Sequence, residues 1–197
     1  MTVTYRRRKK RTAPLLIPIL IISLILLVIG GYFGYNKYLE IAYPIKYQSW
    51  VEKYAAENHL NKYFVYAVIK TESGFDPSAE SNVGARGLMQ IMEDTFDWIK
   101  FKLDDDNAVY GDMYDAQTNI RYGCYLLGYL MDEFGSVEVA AAAYHAGRGN
   151  VNSWLSDKKY SADGVHLDNI PISDTAHYVN KITKAMNKYI KLYDNTT

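Results

Sequence analysis

The stretch from residue 12 to residue 36 contains no charged side chain, and its part from Leu15 to Ile29 is almost entirely Leu, Ile and Val. As a helix, a stretch of this length crosses the roughly 30 Å hydrocarbon layer of a bilayer. Pro18 stands near its start, where a missing helical hydrogen bond does least harm. The sequence therefore predicts a single N-terminal transmembrane helix over residues 12–36.

The flanks of this helix predict its orientation. Residues 6–11 are all Arg or Lys, and no acidic residue occurs before Glu40. Because basic flanks stay in the cytoplasm, we expect a cytoplasmic tail at 1–11, a juxtamembrane connector at 37–44 and everything after it outside the cell membrane. A cleaved signal peptide is the rival interpretation, but no small-x-small cleavage site follows the apolar core. A buried core helix is disfavoured by the six adjacent charges.

The remaining charges and reactive side chains exclude several functions. Lys and Arg total 22 and so do Asp and Glu, so the chain after residue 11 has 16 basic against 22 acidic residues and no basic patch for nucleic acid. The four histidines lack metal-ligand spacing, and residues 104–106, all Asp, lack the glycine and later acid of a calcium loop. We expect no cofactor and no metal. Cys124, the only cysteine, falls on a helical apolar face and predicts a packed core thiol.

From residue 45 to residue 193 every strong hydrophobic period is helical, which predicts a mainly α domain, with 194–197 as a tail. The sequence predicts a long helix that Asp115 caps at its N-terminus and that ends at Gly135, and Ser136 is the predicted N-terminal cap of the next helix. Asn150 is a cap for a short helix after that. The other predicted helices lie around 50–55, around 64–69 with an end at 74, around 95–103, and after 171.

Glu72 stands out on the second of these helices. It lies four residues after Val68 and seven after Val65, on one face, whereas Tyr66 belongs to the opposite face. Burial and the negative end of the helix dipole both disfavour its charged form and raise its pKa, as a general acid near neutral pH requires. Periodicity alone leaves open that Glu72 rims the core and reaches solvent at the helix end.

Three sequence motifs occur in order along the chain. They are Glu72-Ser73-Gly74-Phe75-Asp76-Pro77, Gly84-Ala85-Arg86-Gly87-Leu88-Met89-Gln90-Ile91-Met92 and Ala142-Ala143-Tyr144-His145-Ala146-Gly147. Together they strongly resemble the signature of the soluble lytic transglycosylase family. Supporting matches are Asn119-Ile120 with Gly123 and Tyr125-Leu126, and Tyr178-Val179. The resemblance covers roughly residues 50–189.

The resemblance implies a lysozyme-like helical domain of the goose type with a glycan cleft, and a role for each matching residue. Glu72 aligns with the family's single catalytic acid and base, and Ser73 with a serine that helps to position the substrate. The family pattern also gives the other expected substrate-binding residues, which are Met89, Gln90, Tyr144, His145 and Tyr178. From composition, Tyr110, Tyr114 and Tyr160 are further candidates for the cleft.

The sequence departs from the family at three positions. His145 stands where the family usually has Asn, near the reacting sugar, and its imidazole can still donate a hydrogen bond. Glu93 replaces a common Pro, and Asp174 replaces the usual Glu before Thr175.

The resemblance also implies the reaction: cleavage between N-acetylmuramic acid and N-acetylglucosamine without water, giving a 1,6-anhydro ring. Ordinary glycosidases need two carboxylates, but residues 81–92 contain no acid, and Asp76 and Glu80 lie in a solvated turn. A hydrolysing muramidase and a non-catalytic wall-binding scaffold are the alternatives. Expected partners are peptidoglycan strands, the cell membrane and, as candidates, cell-wall synthesis or secretion machinery.

Overall fold

The computed structural model describes residues 13–194, which form two compact units that divide after Pro44. The predicted cytoplasmic tail at 1–11 lies outside the described residues, as do Thr12 and residues 195–197 of the predicted C-terminal tail.

The first unit is one helix, α1, at Ala13–Ala42. Between Ile17 and Phe33 its side chains are exposed, unlike those of the core helix of a soluble domain. Its part Ile17–Ala42 is long and apolar enough to cross a membrane. The helix continues past residue 36, so residues 37–42 of the expected connector are helical.

The second unit is built from helices. Among residues 13–194 the backbone forms no β-strand, and isolated bridges link Arg86 to Glu80 and to Ile91. The predicted mainly α fold is therefore confirmed. The helices are α2 (Gln48–Glu57), α3 (Lys62–Glu72), α4 (Glu93–Lys102), a 3-10 helix (Tyr110–Tyr114), α5 (Ala116–Phe134), α6 (Val137–Ala146), α7 (Arg148–Ser156) and α8 (Ser173–Tyr193).

The boundaries of α5 and the start of α6 follow the local capping residues. The Asp115 carboxylate accepts a hydrogen bond from the Thr118 amide at 2.8 Å, and Gly135 ends α5 with φ of 64°. The Ser136 hydroxyl accepts from the Val139 amide at the start of α6. The predicted cap at Asn150 is wrong, because α7 begins two residues earlier and the Asn150 amide instead donates to the Ala146 carbonyl.

Helix α3 lies at the centre of the second unit, in contact with α2 and α8. Tyr66, on the face opposite Glu72, is buried as well: its side chain is 1% exposed, and α3 is buried around its whole circumference from Tyr63 to Ile69. The reason is α8, whose Tyr189 ring lies 5.4 Å from the Tyr66 ring. Cys124 is fully buried on α5, which confirms a packed core thiol.

Candidate active site

Glu72 is the last residue of α3, and Gly74 turns the chain away from the helix with φ of 62°. The Tyr178 hydroxyl, from α8, donates a hydrogen bond to Glu72 Oε1 at 2.6 Å. The Tyr178 side chain is only 7% exposed, and burial raises its pKa well above its ordinary value, so it remains a donor. Two residues 106 positions apart in sequence are thus joined at the end of α3.

The environment of Glu72 changes its acidity. Burial raises the pKa of its carboxyl group from 4.5 to about 7, and the bond from Tyr178 opposes part of that rise. This is the direction expected from the helical periodicity. A carboxyl group of this pKa can be protonated near neutral pH and give up its proton in the same pH range, as a group that serves as both acid and base must.

The hydrogen bond from Tyr178 stabilises the Glu72 carboxylate. Tyr178→Phe removes this bond and is therefore expected to raise the pKa of Glu72 further. If the protonated carboxyl group starts the reaction, the fall in rate on the alkaline side moves to higher pH. The measurement is the cleavage rate as a function of pH. Tyr114→Phe is the matched control, since that hydroxyl donates to Glu80 and not to Glu72. An unchanged pH profile of the cleavage rate in Tyr178→Phe would contradict the assignment of Glu72 as the group that donates the proton.

The loop before α4 is fastened to α3 through Ser73. The Ser73 hydroxyl lies 2.8 Å from the Leu88 carbonyl and 3.2 Å from the Ile69 carbonyl, and it accepts from the Phe75 amide. The Ser73 side chain therefore holds the loop beside Glu72. Gln90 has a left-handed backbone with φ of 48°, and its side-chain amide donates to the Ala79 and Gly87 carbonyls at 3.1 and 2.9 Å. Both side chains shape the loop from within.

Met89 does not line a cleft, contrary to expectation. Its side chain is fully buried against α5, in the space left by the missing side chain of Gly123, where a Cβ atom would lie 2.2 Å from the Met89 sulfur. Its backbone carbonyl accepts a hydrogen bond from the Tyr144 hydroxyl at 2.6 Å. Met89 thus ties α6 to the loop through its main chain and to α5 through its side chain.

Asn119 holds the loop from the other side. Its side chain is fully buried on α5 and makes three bonds to backbone groups: Oδ1 accepts from the Met89 amide, and Nδ2 donates to the Arg86 and Met113 carbonyls. The sequence motif includes Asn119 but gives it no role. A polar residue on the apolar face of an amphipathic helix was the available signal, since such a residue must find partners when buried.

His145 lies at the C-terminal end of α6, next to Tyr178. The two rings are 4.6 Å apart between centroids, and His145 Nδ1 lies 3.1 Å from the Thr175 hydroxyl oxygen. His145 remains accessible to solvent over part of its surface, whereas Thr175 is 1% exposed. Partial burial lowers the pKa of His145, which favours the neutral imidazole. The structure therefore brings Glu72, Tyr178 and His145 together at the meeting of α3, α6 and α8.

A pocket of about 330 Å³ opens beside Tyr144 between α4, α5 and α6. Trp98 and Tyr129 lie on its wall with their rings 4.9 Å apart, and Asp94 and Arg148 bring opposite charges to it. Aromatic faces with a few polar groups suit a sugar ring. Periodicity missed this pocket because Trp98 and Tyr129 come from different helices.

Tyr110 and Tyr114, two of the other aromatic candidates, contact the loop before α4. The guanidinium group of Arg86 lies 4.2 Å from the ring centre of Tyr110 and 5.3 Å from that of Tyr114. The Tyr110 hydroxyl lies 2.5 Å from the Gly84 carbonyl oxygen and 3.0 Å from that of Ile91, and the Tyr114 hydroxyl donates to Glu80 at 2.6 Å. Tyr160 is half-buried after α7 and is not among the residues that line the pocket beside Tyr144.

The two other acids near Glu72 in sequence are exposed. Hydrogen bonds from Ser78 lower the pKa of Asp76, and the hydrogen bond from Tyr114 lowers that of Glu80. Both carboxyl groups are therefore ionised near neutral pH, the opposite of what a general acid needs. Within residues 13–194 no group of three His, Cys, Asp or Glu side chains could hold a metal ion.

Comparison with known proteins gives one consistent family. A sequence model described as Transglycosylase SLT domain matches residues 49–166. The soluble lytic murein transglycosylase of Salmonella typhimurium is 33% identical over 148 residues, which cover 74% of this chain and 23% of that protein. The membrane-bound lytic murein transglycosylase C of Yersinia enterocolitica is 28% identical over 177 residues, with coverage of 78% and 47%.

The fold is similar to a solved structure as well. The X-ray structure of an inactive mutant of the lytic transglycosylase Slt from Pseudomonas aeruginosa superposes with a TM-score of 0.72 at 29% identity, covering 81% of this chain and 26% of that one. The chain thus spans about a quarter of the length of the soluble relatives and about half of the membrane-bound one.

Proposed function

Since the chain belongs to the Transglycosylase SLT domain family, we propose that it is a peptidoglycan lytic transglycosylase in which Glu72 is both the catalytic acid and the catalytic base. The observation that carries the proposal is the environment of Glu72, a carboxyl group at the end of a buried helix with a pKa raised to about 7 and a hydrogen bond from Tyr178. The relatives named as lytic murein transglycosylases support the same activity.

The proposed reaction uses the one acid twice. Protonated Glu72 gives its proton to the glycosidic oxygen between N-acetylmuramic acid and N-acetylglucosamine, and that bond breaks. The substrate's own N-acetyl group stabilises the cationic anomeric carbon. The Glu72 carboxylate then takes the proton from the muramyl C6 hydroxyl, whose oxygen closes on C1 to form the 1,6-anhydro ring. Glu72 ends protonated, and no water is consumed.

The substrate contacts follow from the same site. Tyr178 lies beside Glu72 and His145 lies against Tyr178, and these two side chains are the groups we expect to meet the reacting sugar. Ser73, Gln90 and the Met89 backbone hold the loop that borders it. Tyr144 lies on the wall of the aromatic pocket, which we assign to the neighbouring sugars of the glycan strand.

Digestion in ¹⁸O-labelled water tests the reaction. Because the C6 hydroxyl is tethered to the reacting ring, its effective concentration exceeds that of an unactivated water molecule. The described site also offers no second buried acid that could activate a water molecule, since Asp76 and Glu80 are exposed. The expected products are muropeptides that end in 1,6-anhydromuramic acid, one water lighter than hydrolysed products and free of label. Labelled reducing ends as the main product would assign the enzyme as a hydrolysing muramidase.

We further propose that α1 anchors the enzyme in the cell membrane as a single span, with the N-terminus in the cytoplasm and the catalytic domain outside. The apolar helix and the membrane-bound relative support the anchor, and the basic residues 6–11 support the orientation. A contact with cell-wall synthesis or secretion machinery stays a prediction.

Protease added to intact protoplasts is expected to remove the catalytic domain and leave a membrane-bound N-terminal fragment. A cytoplasmic protein detected in the same samples serves as the control for protoplast integrity. Full protection of the domain, or a mature chain that begins near residue 42, would contradict this topology.

A further inference from the structure

Thr175 is a buried hydroxyl in the first turn of α8, and the partner that the structure gives to its side chain is His145 Nδ1, at 3.1 Å. Tyr178 follows three residues later, so both side chains leave α8 on the same face. The His145 ring lies against the Tyr178 ring. The orientation of His145 is therefore set by two contacts on the helix that also holds Glu72 through Tyr178.

The hydroxyl hydrogen of Thr175 decides which tautomer of His145 fits. A buried hydroxyl has one hydrogen to donate, and leaving it without an acceptor is costly. Nδ1 can accept it only when the imidazole proton is on Nε2. If Nδ1 carried the proton, the Thr175 oxygen would accept and its own hydrogen would have no acceptor among the bonds that the structure gives it.

We propose that Thr175 is a positioning residue that fixes the neutral His145 imidazole as the Nε2-protonated tautomer, so that Nε2 presents an N–H donor toward the glycan. The proposal rests on the proposed function in one respect, the identity of the ligand as a glycan. The orientation and the tautomer belong to the protein alone. Partial burial of His145 favours the neutral ring, and Asp174 is the charged neighbour that opposes this.

The first arm of the test reads the tautomer without substrate. Full-length protein with ¹⁵N-labelled histidine is prepared in detergent micelles, and the His145 signals are identified by their loss in His145→Asn. Above the pKa of His145, Nδ1 is expected to be unprotonated and hydrogen-bonded, and its resonance should shift in Thr175→Val and return in Thr175→Ser. A protonated Nδ1 in the unmodified protein, or the same Nδ1 resonance in Thr175→Val, would overturn the proposal.

The second arm measures coupling between the two residues. If Thr175 acts through His145, Thr175→Val should lower the cleavage rate by about tenfold, the effect of one ordinary hydrogen bond, but should have little effect when His145→Ala, which leaves no acceptor for the Thr175 hydroxyl, is already present. Thr183→Val, two turns further along α8 and half-buried, is the matched control and should leave the rate unchanged in both backgrounds. An equal loss in both backgrounds would assign Thr175 to the stability of α8 and overturn the proposal.

The two arms separate this proposal from the proposed function. If neither the unmodified protein nor any variant cleaves peptidoglycan, the proposed function fails. The nuclear magnetic resonance arm then still decides whether Thr175 sets the tautomer of His145. If cleavage is observed and the Nδ1 resonance is the same in the Thr175→Val protein, the positioning role alone is overturned.

Discussion

Glu72→Gln is expected to reduce glycan cleavage by about 10⁴-fold or more, because glutamine keeps the shape of the side chain but cannot deliver a proton. General acid catalysis contributes about 10²–10⁴-fold, and a group that acts once as acid and once as base lies at or beyond the upper end of that range. The measurement is the release of muropeptides from purified peptidoglycan. Cleavage at a rate near that of the unmodified protein would contradict the assignment.

Stability provides an internal control for this variant. The pKa of Glu72 is raised from 4.5 to about 7, so the folded protein binds this proton more tightly than the unfolded chain does. The fold therefore loses stability as the pH rises from about 4.5 toward 7 and carries the cost of a buried charge above that range. Glu72→Gln has no such charge. Its Tm should exceed that of the unmodified protein at alkaline pH, and the difference should vanish in acid.

Asp76→Asn and Glu80→Gln are the matched controls for activity. Asp76 is exposed and bonds to Ser78, and Glu80 is exposed and bonds to Tyr114. Because neither carboxyl group transfers a proton in the proposed reaction, Asp76→Asn and Glu80→Gln should each reduce activity far less than Glu72→Gln does. A loss in Glu80→Gln as large as that in Glu72→Gln would indicate a second catalytic acid and favour the hydrolytic alternative.

The features that sequence predicted well are those set by local chemistry. Asp115 and Gly135 delimit α5 because a cap and a left-handed glycine act within one turn of the helix. Glu72 could be placed on an apolar face because its distance from Val65 and Val68 fixes its direction. The error at Asn150 is also local: more than one residue near the start of α7 could cap it, and the helix begins after Gly147.

The features that sequence missed depend on contacts between distant residues. Tyr66 is buried because α8 covers it, and the side chain of Met89 enters the core because Gly123 leaves room for it. The bond between Tyr144 and Met89 spans 55 residues, and that between Thr175 and His145 spans 30. Periodicity describes one helix at a time, so it could place the acid but not the groups that surround it.

The largest effect on the fold is expected for Gly87→Ala. Gly87 has φ of 74°, and a Cβ atom there would lie 2.0 Å from the Met113 carbonyl oxygen and 2.3 Å from Asn119 Nδ2. Neither neighbour can yield easily, since Asn119 Nδ2 itself binds the Met113 carbonyl at 2.8 Å. Overpacking together with the strained φ should cost about 3 kcal/mol or more in the free energy of unfolding.

Gly84→Ala separates crowding from backbone strain. Gly84 belongs to the same loop and has φ of 87°, but a Cβ atom there would have nothing within 4 Å. Gly84→Ala should therefore lower the free energy of unfolding by only about 1–2 kcal/mol, the ordinary cost of placing an alanine in the left-handed region of backbone conformation. Denaturant unfolding of both variants in detergent micelles, followed by near-ultraviolet circular dichroism of the second unit, measures the difference. Equal losses would show that crowding at Gly87 does not matter.

Activity should follow the same order, because displacement of Asn119 releases the Met89 amide and with it the carbonyl that holds Tyr144. Gly87→Ala protein that remains folded is expected to have a disordered loop beside Glu72 and to cleave peptidoglycan poorly, whereas Gly84→Ala should keep most of its activity. A folded and fully active Gly87→Ala protein would mean that the loop tolerates a shifted Asn119, and that Glu72 and Tyr178 work without its support.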